Sequence, residues 1–164
     1  MMIRVLDPVQ DADKVLDLYC RAADYIWLET GRSPDASLVA EYFVDAPPGG
    51  DPATSLKLGL FEHDLLIGLA DLAFGFPESH DAYVGRMMLA HEARGKGLGT
   101  QFLCYLEETA RRRSATRLLL SVLETNLRGR SFWEREGFAH PVMIYPRVTI
   151  GKRSDAWIRL EKQL

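Results

Sequence analysis

The chain has 164 residues, 47% of them apolar and 26% charged. That length can bury one compact core without disulfides or structural metal, and the balance excludes a disordered, collagenous or fibrous chain. A formal net charge of -3 offers no electrostatic attraction to a polyanion, so nucleic-acid binding is disfavoured.

Met2 to Leu6 alternates as a first strand. Asp7-Pro8 supplies a side-chain cap and a proline suited to the first helical position, so a helix should follow, with Val15, Leu18, Tyr19 and Ala22 on its apolar face up to about Asp24. Gly31-Arg32-Ser33-Pro34 breaks the chain, and a second short helix is predicted over Asp35 to Val44. Ala46 to Pro52 is a loop of turn residues. Ser55 to Phe61 and Leu65 to Phe74 then read as a hairpin, with Gly68 and Gly75 as bulge or bend positions, and Tyr83 to Leu89 as a further strand.

Past a glycine-rich turn, Phe102, Leu103, Leu106 and Ala110 line a helix that ends in Arg111-Arg112-Arg113. Arg117 to Leu123 is a strand, Ser131 to Arg135 a short helix stopped by Gly137, and strands at about Phe138 to Tyr145 and Ala156 to Leu160 close the chain. The order is β-α-α-β-β-β-α-β-α-β-β, a mixed α/β (α+β) single domain over residues 1–164. Cys20 and Cys104 fall in the helices, where a free cysteine behaves as a small buried hydrophobe, and a reducing compartment fits. Charges at Arg4 and Asp7 interrupt any secretory apolar run, and no stretch is long enough to span a bilayer. A cytoplasmic protein with no membrane partner is expected.

The most informative segment is Arg94-Gly95-Lys96-Gly97-Leu98-Gly99-Thr100, between a predicted strand and a predicted helix. Glycines let the backbone approach an anion closely, and free N–H groups at the helix start bind phosphate oxygens. Arg94, Lys96 and Thr100 add side-chain donors. A Walker A loop is disfavoured because Gly97 follows Lys96 where serine or threonine should stand. A dinucleotide fingerprint would need an early βαβ unit, whereas this turn follows a hairpin in mid-chain.

Leu89-Ala90-His91-Glu92-Ala93-Arg94-Gly95-Lys96-Gly97-Leu98-Gly99 resembles the acetyl-CoA pyrophosphate motif of the GNAT superfamily of N-acetyltransferases. Ser121 to Asn126, followed by Phe132-Trp133-Glu134-Arg135-Glu136-Gly137-Phe138, is similar to the family's strand-Asn-helix-Gly-Phe signature. The motif-level likeness covers about Tyr83 to Phe138. It implies a central sheet splayed between the strands ending near Leu89 and Leu123, a slot there for pantetheine, and acetyl-CoA as cosubstrate. It also implies direct attack by an amine in a ternary complex, with a backbone N–H near Leu89 polarising the thioester carbonyl and Asn126 helping to hold pantetheine. Homodimerisation is a further family expectation.

The chain departs from the family at Trp133, where tyrosine usually serves as acid for the thiolate; indole does not titrate usefully. Tyr145 is the first substitute, and Trp133 itself is assigned to packing or to a lid over the cofactor. Tyr83 and Asp81 are candidates to take the amine proton, although tyrosine on a strand is more often a packing residue. Arg111, Arg112, Arg113, Arg128 and Arg130 are candidates for the phosphates of coenzyme A, Arg130 being favoured and solvated helix-end charge being the alternative for the triplet. His63, His80, His91 and His140 lack metal-ligand spacing, and no metal site is expected. Acceptor specificity is expected from Tyr25 to Thr30, from Tyr42-Phe43 and from the C-terminal hairpin. Tyr25, Trp27 and Glu29 are candidates for an aromatic and acidic wall for a cationic amine, although aromatics near a helix end are more often core. Polyamines, amino acids, antibiotics and protein amino termini all stay open as acceptors. A small-molecule amine acceptor leads. A protein or peptide acceptor, or a catalytically silent acyl-CoA-binding module, stands beside it.

Overall fold

The computed structural model describes residues 1–138 and 141–164. His140, and the start of the strand expected from Phe138, lie partly or wholly outside the described residues. In chain order the elements are β1 (Met2–Val5), α1 (Ala12–Arg21), α2 (Ala23–Thr30), α3 (Ala36–Val44), β2 (Leu56–Glu62), β3 (Leu65–Phe74), β4 (Asp81–Leu89), α4 (Leu98–Arg112), β5 (Arg117–Leu123), α5 (Leu127–Arg135), β6 (Pro141–Ile144), β7 (Val148–Ile150), β8 (Arg153–Asp155) and β9 (Trp157–Gln163). Seven strands form one sheet in the order β1-β2-β3-β4-β5-β9-β6, and β7-β8 is a separate hairpin. Every pairing in the sheet is antiparallel except β4 with β5. That single parallel pair follows from α4, the crossover helix between those two strands.

A core cluster joins Val15, Leu18 and Tyr19 of α1, Ile26 of α2, and Phe102, Leu103 and Leu106 of α4 to the inward residues of β2 to β5. The apolar spacing read in the sequence is therefore the packing face of these helices.

Several expectations are corrected. Asp7 does not cap α1: its carboxylate accepts from the N–H groups of Val9 and Gln10, each at 2.8 Å, and Pro8 sits in the turn so closed. The helix starts at Ala12, behind a buried Asp11 that Arg4 grips through both nitrogens at 2.7 Å. Ala22 divides the expected helix, and α2 runs on to Thr30, where Gly31 takes a φ of 66°. Cys20 and Cys104 lie in α1 and α4 but are exposed, because both fall off the apolar stripe. The bulge near Gly68 falls at Ile67. Gly68 itself is required for close approach, since a Cβ there would lie 2.5 Å from the Leu89 side chain. The β7-β8 hairpin, turning at Gly151, has strands of three residues each, too short for an alternating pattern to mark them in sequence.

Candidate functional site

The strands β4 and β5 pair only over Asp81–Val84 and Arg117–Leu120. Beyond that, β4 continues to Leu89 against β3, while β5 continues to Leu123 against β9, so the two part. A bulge at Gly85, where Asp71 pairs with Arg86 and Leu72 with Val84, marks the start of the divergence. The Ala90 N–H donates to the Ile67 carbonyl at 2.9 Å across the Gly68–Leu89 pair. In an antiparallel ladder this turns the N–H and C=O of Leu89, and of Met87 two residues earlier, away from β3 and into the gap that β5 leaves.

The glycine-rich loop closes this gap at the end of β4. Gly95 and Gly97 take φ values of 74° and 78°, which a side-chain-bearing residue adopts only at a cost, and both are exposed. Gly99 has a different reason: a Cβ there would lie 3.1 Å from the Phe132 ring, so its absence lets α4 start against α5. Among the described residues, no main-chain N–H from Gly95 through Thr100 has an intramolecular acceptor; the first bond of the helix is Gln101 N–H to the Gly97 carbonyl, at 3.2 Å. Gly97 brings no side chain to cap the helix. A row of donors thus stands at the positive end of a 15-residue helix.

The side chains of this loop have other tasks than expected. Arg94 meets Asp24 of α2 through both terminal nitrogens, at 2.6 and 2.9 Å, and its Nε donates to the Leu89 carbonyl at 3.1 Å. The Thr100 hydroxyl donates to Glu136 at 2.7 Å. Arg94 and Thr100 are therefore struts that hold the loop, and only Lys96 is left exposed as a side-chain donor. The guanidinium of Arg94 holds the Asp24 carboxyl below its ordinary range.

Asn126 caps α5, its Oδ1 accepting from the Gly129 N–H at 2.9 Å, which leaves its Nδ2 as the remaining donor group. The turn before it is fixed by the fully buried Asp155, which accepts from the Thr125 hydroxyl and from the Ala156 N–H. Trp133 is 8% exposed, edge-on to Phe132 and Phe138 with centroids at 4.8 and 5.4 Å. It is a core residue, the packing alternative, and not a lid. Arg130 is half-buried and reaches the Glu124 carbonyl at 3.3 Å. Arg111 and Arg112 pair with Glu107 and Glu108, and Arg113 lies 4.4 Å from the Phe74 ring. The triplet stands at the far end of α4 from the loop, roughly 20 Å away at the helical rise. It is helix-end charge, which corrects its candidacy for the cofactor's phosphates.

Tyr83 and Tyr145 are brought together. Both rings flank the Arg159 guanidinium of β9, at 5.5 and 5.2 Å, and the Tyr83 hydroxyl donates to Ser121 Oγ at 2.8 Å. Burial raises the Tyr83 hydroxyl above its ordinary range, partly offset by Ser121 and by the Arg159 charge, so Tyr83 is a proton donor at neutral pH and not a base. Asp81 is buried and paired with Arg117 at 2.7 Å, which removes it as a base as well. The acidic wall is neutralised: Glu29 meets the half-buried Arg86 at 3.0 Å, Tyr25 packs against the core, and Trp27 alone is exposed. Arg159 and Asp24 were given no role in the sequence, and Ser121 entered only as the first residue of a motif. Each matters through a partner dozens of residues distant, which no local pattern records.

The family model of the acetyltransferase (GNAT) family matches residues 13–138. An uncharacterized N-acetyltransferase of Bacillus subtilis, YobR, is 38% identical over 69 residues, a match that spans 41% of this chain and 28% of that relative's length. Among solved structures, an acetyltransferase from Thermus thermophilus superposes with a TM-score of 0.72 at 22% identity, over 100% of this chain and 98% of its own. The ribosomal-protein-alanine N-acetyltransferase of Brucella melitensis gives 0.73 at 21% identity, over 100% of both chains. A putative phosphinothricin N-acetyltransferase gives 0.75 at 16%, over 99% and 98%. Among the described residues no group of three or more metal-ligating side chains converges, and no helix is long and apolar enough to cross a membrane. With the parted strands, the donor loop and a family match over most of its length, the chain belongs to the acetyltransferase (GNAT) family of acetyl-CoA-dependent N-acetyltransferases.

Proposed function

We propose that this chain, working as one cytoplasmic domain, transfers the acetyl group of acetyl-CoA to the primary amine of a small molecule. The observation that carries the reading is the row of unpartnered N–H groups from Gly95 to Thr100, set where β4 and β5 part. Such a row fits the diphosphate of coenzyme A, and the gap beyond it offers the strand edges that pantetheine amides need. Lys96 and Arg130 supply the nearby side-chain charge, and Asn126 Nδ2 donates to the pantetheine arm.

The Leu89 N–H polarises the thioester carbonyl. The amine lone pair attacks the carbonyl carbon, the C–S bond breaks, the thiolate takes a proton from Tyr145, and the proton that the new amide nitrogen sheds returns to Tyr145 through solvent. Tyr83 and Asp81 are both unsuited to act as base, so the amine loses its proton to solvent before attack. A small acceptor is favoured because the β7-β8 hairpin closes on α2: a Cβ at Gly31 would lie 2.7 Å from the Gly151 nitrogen, and Arg153 donates to the Leu28 carbonyl. Exposed thiols at Cys20 and Cys104 suit a reducing compartment.

The test is titration calorimetry with acetyl-CoA, followed by thiol release in a screen of free amines and peptides. Tight binding with turnover of free amines supports the reading, and Tyr145→Phe should then lower kcat more than KM. Turnover of peptides alone would assign a protein acceptor. Binding with no thiol released for any amine would make the chain a silent module, and no binding at millimolar acetyl-CoA would end the proposal.

A further inference from the structure

Arg159 is an unusual arginine in this chain. It lies on β9 opposite Ser121 of β5, half-buried, with its Nε fully screened from solvent. Among the described residues its guanidinium is in no ion pair and the screened Nε has no acceptor, while the Tyr83 hydroxyl lies beside it. Arg4, Arg21, Arg86, Arg94, Arg117 and Arg153 are half-buried likewise, yet each meets a carboxylate within 3.0 Å. What surrounds Arg159 instead is aromatic: the rings of Phe76, Tyr83 and Tyr145 lie 5.4, 5.5 and 5.2 Å from its central carbon.

Three rings offset part of the cost of drying a cation, but they accept no hydrogen bond in the plane of the fork. A guanidinium so placed is left with in-plane donors, and the group that matches two parallel N–H donors is a carboxylate. Acidic side chains of the neighbouring strands are spent. Asp81 is paired with Arg117 at 2.7 Å, and Glu161, two residues along β9, with the same arginine at 2.6 Å. Glu29 is paired with Arg86, and Glu124 with Arg147. The Tyr83 hydroxyl beside the fork gives its proton to Ser121 at 2.8 Å, and its remaining oxygen is a neutral acceptor that can answer only one of the guanidinium's five N–H donors.

We propose that the acceptor is an amino acid, an amine that carries its own carboxylate, and that Arg159 binds that carboxylate beside the rings of Phe76, Tyr83 and Tyr145. This rests on the acetyl-transfer reading and narrows its substrate class. It disfavours a polycationic acceptor such as a polyamine, for which the surroundings of Arg159 are repulsive. Arg159 is in this sense a specificity residue: it touches the acceptor away from the reacting atoms.

The experiment compares matched acceptors on the wild-type protein with saturating acetyl-CoA: alanine, leucine and phenylalanine against their amides and their decarboxylated amines, with β-alanine and γ-aminobutyrate to set the spacing. The carboxylates should lead by roughly ten- to a hundredfold in kcat/KM, the worth of one charge-assisted contact. Arg159→Met should shrink that lead to about twofold and leave acetyl-CoA affinity unchanged, while Arg159→Lys should keep part of it. Amides or plain amines turned over as well as the acids would overturn the proposal, as would a lead that survives Arg159→Met. If no acceptor turns over, or a variant does not fold, binding of N-acetylphenylalanine against its amide to the wild-type protein decides. Failure of the acid to bind at about 10 mM counts against the site. Acetyl-CoA titration is read separately. Acetyl-CoA binding without a carboxylate preference sinks this proposal alone, whereas carboxylate binding without acetyl-CoA binding sinks the acetyl-transfer reading and leaves the anion site standing.

Discussion

Replacing Gly97 by glutamate tests the donor loop directly. A Cβ built at Gly97 meets nothing within 4 Å, so the side chain is sterically free, and the only intrinsic penalty is the left-handed backbone at a φ of 78°. That strain costs roughly 1 kcal/mol and is common to the free and bound protein, so it lowers Tm and not affinity. The carboxylate is what affinity registers. At about 5 Å from a diphosphate of about two charges, with an effective dielectric of about 40, the repulsion is about 3 kcal/mol. The dissociation constant for acetyl-CoA should therefore rise by roughly two orders of magnitude. Gly97→Ala, which keeps the strain without the charge, should shift it by no more than a few-fold. Titration calorimetry in low and high salt separates the two, because the loss in Gly97→Glu should shrink as salt screens it. Equal affinity of wild type and Gly97→Glu, with the variant folded, would refute diphosphate binding at this loop.

Gly129→Ala places a Cβ 2.5 Å from Asn126 Nδ2, so the carboxamide must leave its cap; a stability loss of about 1–2 kcal/mol in denaturant unfolding and a raised KM for acetyl-CoA are expected. Lys57 and Asp71 form a buried pair at 2.7 Å in which burial raises the Asp71 carboxyl and Lys57 partly offsets it. Lys57→Met alone should cost about 3–5 kcal/mol, and Lys57→Met with Asp71→Leu should recover most of it, measured as the unfolding midpoint in urea. Burial pushes the Tyr19 hydroxyl up to about 12, with the charge of Arg86 acting the other way. Its protonated form favours the fold in full below pH 10 and that contribution is lost as pH rises toward 12, so unfolding free energy should fall by about 2–3 kcal/mol across that window, less in Tyr19→Phe.

The glycine-rich loop and its place between strand and helix were legible because the pattern is local. Gly95 and Gly97 write a left-handed turn into a few consecutive residues before the helix, while Gly99 serves the packing of α4 on Phe132. The strand Arg117–Leu123 and the helix ending at Arg112 were likewise readable from periodicity alone. Even here the roles of individual side chains escaped. That Arg94 is spent on Asp24, 70 positions earlier, is a fact of tertiary packing that no spacing records.

The acceptor half was illegible for a reason that follows from the splay itself. Near the point where β4 and β5 separate, single residues from distant parts of the chain, Tyr83, Ser121, Tyr145 and Arg159, come together, each unremarkable in its own segment. Charge was misread for the same reason. Glu29 near Trp27 suggests an acidic wall only until Arg86 of β4 is placed 3.0 Å away and cancels it, while Arg159 looks like routine strand polarity until Asp81 and Glu161 prove to be committed to Arg117. The sign of the acceptor side is thus set by which charges remain after pairing. A linear segment, which shows its charges before pairing, pointed toward a cation, and the residual guanidinium points toward an anion.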